Sequence, residues 1–246
     1  MLVRSELFKL IKKKMYILPI LIAFLPLVLA IIIYINPKDL HISGEFSSIS
    51  FGLSMWQFLW AVFLPQLVVI YLTSESNKKE EENGQIIYEI TKVKDNWKII
   101  ISKLIAQLVL ILLFAVLFLL ISYISYVLLI TKTSMAVSTI DSLDTKIMIQ
   151  KFILSIIAMA MIACITYLFN TYFKSIVTII LMFAAHTLVN MLTGLLKVWY
   201  LLPSSILYKG DYKGDYQTLA LQITILIVVG TGAVIWKKRA LDNMWN

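Results

Sequence analysis

The chain has 246 residues, of which 60% are hydrophobic and only 15% charged, and it carries a formal net charge of +8. Water-soluble domains carry roughly 45–50% apolar and about 25% charged residues, so this composition excludes a water-soluble globular domain and places the surplus apolar surface against lipid. The basic residues are distributed between the apolar runs rather than gathered in one patch, which argues against a nucleic-acid partner.

Taken in chain order, residues 2–14 come first, LVRSELFKLIKKK. Val3, Leu7, Leu10 and Ile11 recur at helical spacing with Arg4, Lys9, Lys12 and Lys13 between them. The pattern predicts an amphipathic helix on the membrane surface, apolar face down and basic face toward lipid phosphates. The plainer reading takes these lysines as a topology signal alone. Six stretches then reach the length of about 20 mainly apolar residues that a spanning helix needs: roughly 16–35, 50–73, 104–130, 152–170, 176–198 and 217–236. The first is too long for a signal peptide and lacks a small-residue cleavage site, so it reads as an uncleaved helix. Strand-like alternation is absent, which argues against a barrel. Gly and Pro are sparse and no linker interrupts the chain, so residues 1–246 read as one domain.

Three segments outside or beside the spans carry further information. The first is the basic N-terminal helix. The second is residues 74–103, SESNKKEEENGQIIYEITKVKDNWKIIISK, the longest polar loop. Glu82-Asn83-Gly84 is a turn signal. Ile86, Ile87, Ile90 and Val93 follow at helical spacing, with Glu89, Lys92 and Lys94 as the charged remainder. They predict a short amphipathic helix, then Trp97 at the interface and Lys103 snorkelling from the start of the third span. The apolar face of that helix has two open destinations, a groove on a partner protein or this chain's own surface. The third is residues 199–216, WYLLPSSILYKGDYKGDY, where the tandem KGDY reads as turns, with contact to a substrate as the second reading, and WYLLPSSIL as a lipid-facing half-helix.

Charge sets the orientation. With the N-terminus in the cytoplasm and six alternating spans, 15 of the 22 lysines and arginines fall inside and seven outside, which obeys the positive-inside rule. Both termini are then cytoplasmic. Trp97 and Trp236 inside, and Tyr34, Tyr126, Trp199 and Tyr200 outside, sit near the expected boundaries.

Polar residues within spans face protein or a cavity. Thr178, His186, Asn190, Thr193 and Lys197 form a stripe on the fifth span, while Ser54, Gln57 and Gln66 lie on the second, with Pro65 as a kink. These stripes are expected to face each other or a subunit interface. Two readings stay open, a transport pathway and ordinary interhelical hydrogen bonding.

Catalytic and nucleotide motifs are missing. There is no G-x-x-x-x-G-K-[ST], no H-E-x-x-H and no G-x-S-x-G. Cys164 is alone, so neither an intrachain disulfide nor a cysteine metal cluster is available. No cofactor or metal is expected in this chain, and no enzymatic activity. His186-Thr187-Leu188-Val189-Asn190 resembles the H-x-x-x-N motif of membrane-embedded CAAX-type proteases. That family also needs E-E-x-x-x-R, and Glu80-Glu81-Glu82 lacks the arginine.

The arrangement resembles the permease subunits of ABC-2 type transporters: a basic surface helix, six spans and a long inner loop after the second. Glu6 and Lys9 in SELFKLIKKK resemble the E-x-x-K opening of that family's elbow helix. The loop resembles its coupling segment, with Glu82, Asn83, Gly84, Trp97, Lys98, Ser102 and Lys103 in matching places. Where the family often has a Pro-Val-Ser-Arg-like turn, this chain has Lys92-Val93-Lys94-Asp95. MWQFLWAVFLPQLVVIYLTSE is similar to the lantibiotic self-immunity and peptide-export permeases, with bacitracin-resistance permeases close behind.

The resemblance implies an all-α membrane protein of six spans with an elbow helix and a cytoplasmic coupling helix. It implies pairing with a second permease, the same or related, and with a cytoplasmic ABC ATPase that supplies ATP and Mg. It also implies export of an antimicrobial peptide or other amphipathic compound. The alternative is a membrane immunity protein that sequesters a bacteriocin without transport.

Overall fold

The computed structural model describes residues 2–35, 45–93, 95–137, 142–198, 202–207, 212 and 214–243. Helices account for nearly all of them: α1 (Leu2–Lys12), α2 (Ile17–Ala23), α3 (Leu25–Ile35), α4 (Ser48–Ala61), α5 (Leu64–Glu82), α6 (Gln85–Lys92), α7 (Asn96–Leu128), α8 (Ser142–Phe169), α9 (Ser175–Leu195), α10 (Pro203–Leu207) and α11 (Tyr216–Asn243). Among the described residues no β-strand forms, and one isolated bridge joins Phe46 to Ala136.

Five helical segments are long and apolar enough to cross a membrane: Ile17–Ile35 (α2 with α3), Asn96–Lys132, Asp144–Phe169, Ser175–Leu195 and Tyr216–Asp242. The pair α4 and α5 passes the same test together but bends by 66°, and it makes a sixth crossing if the two count as one span. The break lies at Val62–Phe63, just before Pro65. Pro65 has no N–H to continue the helical ladder, but the second position of a helix tolerates it. Phe63 takes the left-handed region at φ 62° to start α5. The Trp60 carbonyl freed at the break accepts from Phe63 N at 3.1 Å and from Gln66 Nε2 at 3.1 Å. Gln66 is fully buried and closes the bend of its own span rather than reaching toward α9.

The core is aromatic. Trp56 of α4 packs between Phe114 and Phe118 of α7 and Phe152 of α8, with ring centroids at 5.0–5.5 Å. Its indole donates to Ser155 Oγ at 2.6 Å, so the polar edge of the buried ring is satisfied as well. By contrast, much of the outward surface of α9 and α11 is apolar: Ile176, Ile180, Leu188, Leu195, Ile227 and Val228 are exposed.

Three expectations need revising. Residues 74–82 are not loop but the last turns of α5, whose end is set by Asn83 and by Gly84 at φ +68°. That left-handed conformation is one glycine adopts without Cβ strain, so the expected turn at Glu82-Asn83-Gly84 stands. The half-helix α10 is not lipid-facing, because Pro203, Ser204, Ser205 and Ile206 are buried. The expected apolar face of α1 is divided: Leu10 is buried and Val3 and Leu7 are half-buried, but Ile11 is exposed and Glu6 is buried in its place. Four of the eight residues of the KGDY repeat, and Trp199 and Tyr200, lie outside the described residues.

Candidate functional site

At the α1 end of the bundle, charged side chains converge from several helices. Lys103 lies two turns into α7 and is 3% exposed. Its ammonium pairs with Glu80 of α5, with Glu89 of α6 at 3.1 Å and with Glu6 of α1 at 3.4 Å. Lys9 of α1 pairs with Glu6 at 2.5 Å and with Glu89. Lys13, just past the end of α1, reaches the other oxygen of Glu80 at 2.8 Å. Three carboxylates therefore meet three ammonium groups, and the cluster is neutral. A snorkelling Lys103 is thus ruled out, since three carboxylates drawn from α1, α5 and α6 hold its head inside the protein.

The electrostatic logic is that of a buried pair. Removing charges from water costs several kcal/mol per ion, which is recovered only when each charge is closely paired. For Lys9, burial pulls the ammonium pKa down, but the hydrogen bonds to Glu6 and Glu89 outweigh it and the net direction is upward. Lys9 is therefore cationic throughout the physiological range. The three carboxylates lie close enough together to hold a metal ion. Lys103 already supplies the cation at their centre, so the donor set needs no metal.

A second ionic tie stands beside the first. Lys237 of α11 is buried, pairs with Glu81 of α5 and lies 5.4 Å from the centre of the Tyr167 ring of α8. Lys78 reaches the other oxygen of Glu81 at 3.2 Å. Asn96, the first residue of α7, donates to Asp242 of α11 at 2.8 Å. Between them the two clusters connect α1, α5, α6, α7 and α11.

α6 is joined to this frame as well. Its residue in the network is Glu89, bound to both Lys9 and Lys103. Its ends are the left-handed Gly84 and the extended Val93, whose N–H donates to the Glu89 carbonyl at 2.9 Å. Glu82 and Asn83 are exposed beside the turn. Ile86, Ile87 and Ile90 belong to α6, but their side chains lie outside the described residues, as does Lys94. Among the residues expected to matter here, Glu6 and Lys9 come together, whereas Glu89, named only as part of the polar side of the short helix, and Glu80, Lys13 and the Glu81–Lys237 pair were missed. The available signal was a lysine one turn inside an apolar run at Lys103, since such a residue requires a partner; Lys237, which directly follows the last span, carried no such signal.

The fifth-span stripe behaves differently. Asn190 Nδ2 lies 3.0 Å from His186 Nε2, Ser204 of α10 donates to Asn190 Oδ1 at 2.8 Å, and Thr193 donates to the Asn190 carbonyl at 3.0 Å. Spans two and five do meet, but through other groups. Phe63 sets its ring edge-on to Phe183 and His186 at 6.0 and 6.3 Å. Ser74 donates to the Ser175 carbonyl at 2.9 Å. Gln57 is partly exposed and takes no part in these contacts. A cavity of about 130 Å³, walled by apolar residues of α8 and α9, opens beside His186 and Ser204.

No protein-family profile, curated protein or solved structure matches the chain.

Proposed function

We propose that this chain is the permease subunit of an ATP-driven ABC exporter of the ABC-2 type, which expels an antimicrobial peptide or other amphipathic compound from the membrane. On this reading both termini and α6 face the cytoplasm, α1 is the elbow helix and the bent α4–α5 pair completes six spans. A second permease subunit and an ATPase carrying ATP and Mg complete the machine.

The observation that carries the reading is the position of Glu89. A short helix outside the spans is tied, through one carboxylate, to α1 by Lys9 and to the buried Lys103 of α7. Displacing α6 must either drag α1 and α7 with it or break two ion pairs. α6 also pulls directly on α5 through Gly84. That helix has 19 residues, about 28 Å at 1.5 Å per residue, and its far end is the bend at Phe63, against His186 of α9. An ATPase that grips α6 would therefore have a lever reaching from the inner surface to the middle of the bundle. The basic loop charges, two-thirds of which fall on the same side as α6, support this orientation.

The test is a complex with a P-loop ATPase. The tagged chain, purified in mild detergent from its own host, is expected to bring down one such ATPase in stoichiometric amount, identified by mass spectrometry. Ile86→Asp with Ile90→Asp should abolish that complex while leaving helicity and elution volume unchanged. Retention of the ATPase by the double variant overturns the coupling role of α6. Peptide protection that persists when the ATPase carries a dead catalytic glutamate points instead to sequestration without transport.

A further inference from the structure

A groove of about 510 Å³ runs between the α1–α2 junction and α5, and the ion network does not use most of its lining. One wall is a continuous stretch of chain, from Lys13 and Lys14 through Met15, Ile17 and Leu18 to Leu21. The other wall is Tyr71, Glu75, Lys79 and Asn83, four residues apart on one face of α5, with Gln85 beyond them. Both walls run from polar to apolar in the same direction. Lys13 reaches Glu80 near the polar end of α5, and Ile22 packs with Val68 and Leu72 nearer its apolar end. The α5 stripe is about 18 Å long at 1.5 Å per residue. That matches one headgroup plus part of a leaflet whose full hydrocarbon core is about 30 Å thick.

The charges balance except for one. Lys13 is paired with Glu80, and Lys79 with Glu75, whose other oxygen accepts from Ser175 Oγ at 3.1 Å. Lys14 lines the groove, is exposed and, among the described residues, makes no ion pair. Its backbone is held at φ 56°, in the left-handed region, at the corner between α1 and α2. The groove thus presents one surplus cation, two amide side chains at its polar end and an apolar slot leading away from them. A phosphodiester carries one negative charge, and its acyl chains need such a slot.

We propose that this groove is a binding site for an anionic phospholipid of the phosphatidylglycerol type. The phosphate lies between Lys14 and Lys79, the glycerol headgroup meets Asn83 and Gln85, and an acyl chain lies along Ile17, Leu18, Leu21 and Tyr71. Asn83 and Gln85 flank Gly84, so the headgroup braces the turn from which α6 hangs. The assignment rests on the groove alone and assumes nothing about transport.

Native mass spectrometry of the purified chain, after equilibration with equal phosphatidylglycerol and phosphatidylcholine, tests it. The wild type is expected to retain phosphatidylglycerol in preference, and Lys14→Gln with Lys79→Gln to lower that retention about tenfold. The control Lys12→Gln with Lys98→Gln removes equal charge from exposed lysines outside the groove and should stay within about twofold of wild type. The deacylated headgroup, glycerophosphoglycerol, should not displace the lipid. Equal retention of the two lipids, equal losses in both double variants, or displacement by the deacylated headgroup overturns the site. So does a wild-type dimer that carries no phosphatidylglycerol, which would assign the groove to a second copy.

Discussion

The charged end of the bundle and the polar stripe of α9 both set polar side chains into apolar helices, and they satisfy them in different ways. At the charged end, Glu6, Lys9, Lys13, Glu80, Glu89 and Lys103 come from α1, the α1–α2 corner, α5, α6 and α7, and each is paired across helices. On α9, His186, Asn190 and Thr193 bond mainly to one another along a single helix, and among the described residues Ser204 of α10 is the hydrogen-bond partner from outside. The first arrangement couples rigid elements, so that moving one disturbs the rest. The second leaves this stretch of α9, among the described residues, with one hydrogen bond to another helix, beside an apolar cavity, whereas the start of α9 is bonded to α5 through Ser74, Glu75 and Ser175. Interhelical coupling is set by where the partner sits, not by how polar a residue is.

That contrast can be broken most severely at Lys103. Lys103→Met leaves three carboxylates facing one another with their central cation gone, and stripping one partner from a buried ionic cluster costs about 3–5 kcal/mol. The variant should lose most of its folded yield, or unfold at much lower denaturant, when followed by circular dichroism in detergent. Adding Glu80→Gln should recover part of the loss. No recovery would mean that Lys103 acts by packing rather than charge.

Glu89→Gln sharpens the comparison. Lys103 keeps Glu6 and Glu80, and Lys9 keeps Glu6, so global stability should fall by only about 1 kcal/mol. Hydrogen exchange over residues 85–92 should rise about tenfold, while α5 and α7 stay protected, because local opening no longer has to break the two ion pairs. Uniform loss of protection across the bundle would show that α6 is not a separate unit.

The smallest effect belongs to α9. Asn190→Ala and Ser204→Ala should each cost about 0.6–1.7 kcal/mol, the range for hydrogen bonds between membrane helices. In a double-mutant cycle they should be coupled to each other but additive with Glu89→Gln. Coupling between Asn190 and Glu89 would instead indicate that the α5 lever joins the two regions at rest.

The span boundaries were largely legible in the sequence. Expected spans at 16–35, 176–198 and 217–236 correspond to Ile17–Ile35, Ser175–Leu195 and Tyr216–Asp242, because apolar length is a local property. The helices expected at 104–130 and 152–170 begin earlier, at Asn96 and Asp144, and the one expected at 50–73 runs on to Glu82, because their polar end turns carry no apolar signal. The Glu82-Asn83-Gly84 turn was legible for a similar reason, since the left-handed position at Gly84 is a local backbone requirement. The bend near Pro65 was expected too, but its hinge lies at Phe63, where Gln66 and the α9 aromatics accommodate an unusual backbone. The candidate site was legible only in fragments. Glu6 and Lys9 stood out, while the burial of Lys103 and the roles of Glu80, Glu89 and Lys237 did not.

Composition, apolar run length and turn chemistry by themselves determined that this is an all-helical membrane protein, and about where its helices begin and end. What the tertiary structure alone decided is the azimuth of each helix. α1 buries Leu10 and half-buries Val3 and Leu7, as its amphipathic pattern allows, but it also turns Glu6 and Lys9 inward and leaves Ile11 outside. The physical reason is that a helix's periodicity states which residues share a face, whereas the charges waiting on α5, α6 and α7 state which face must be buried.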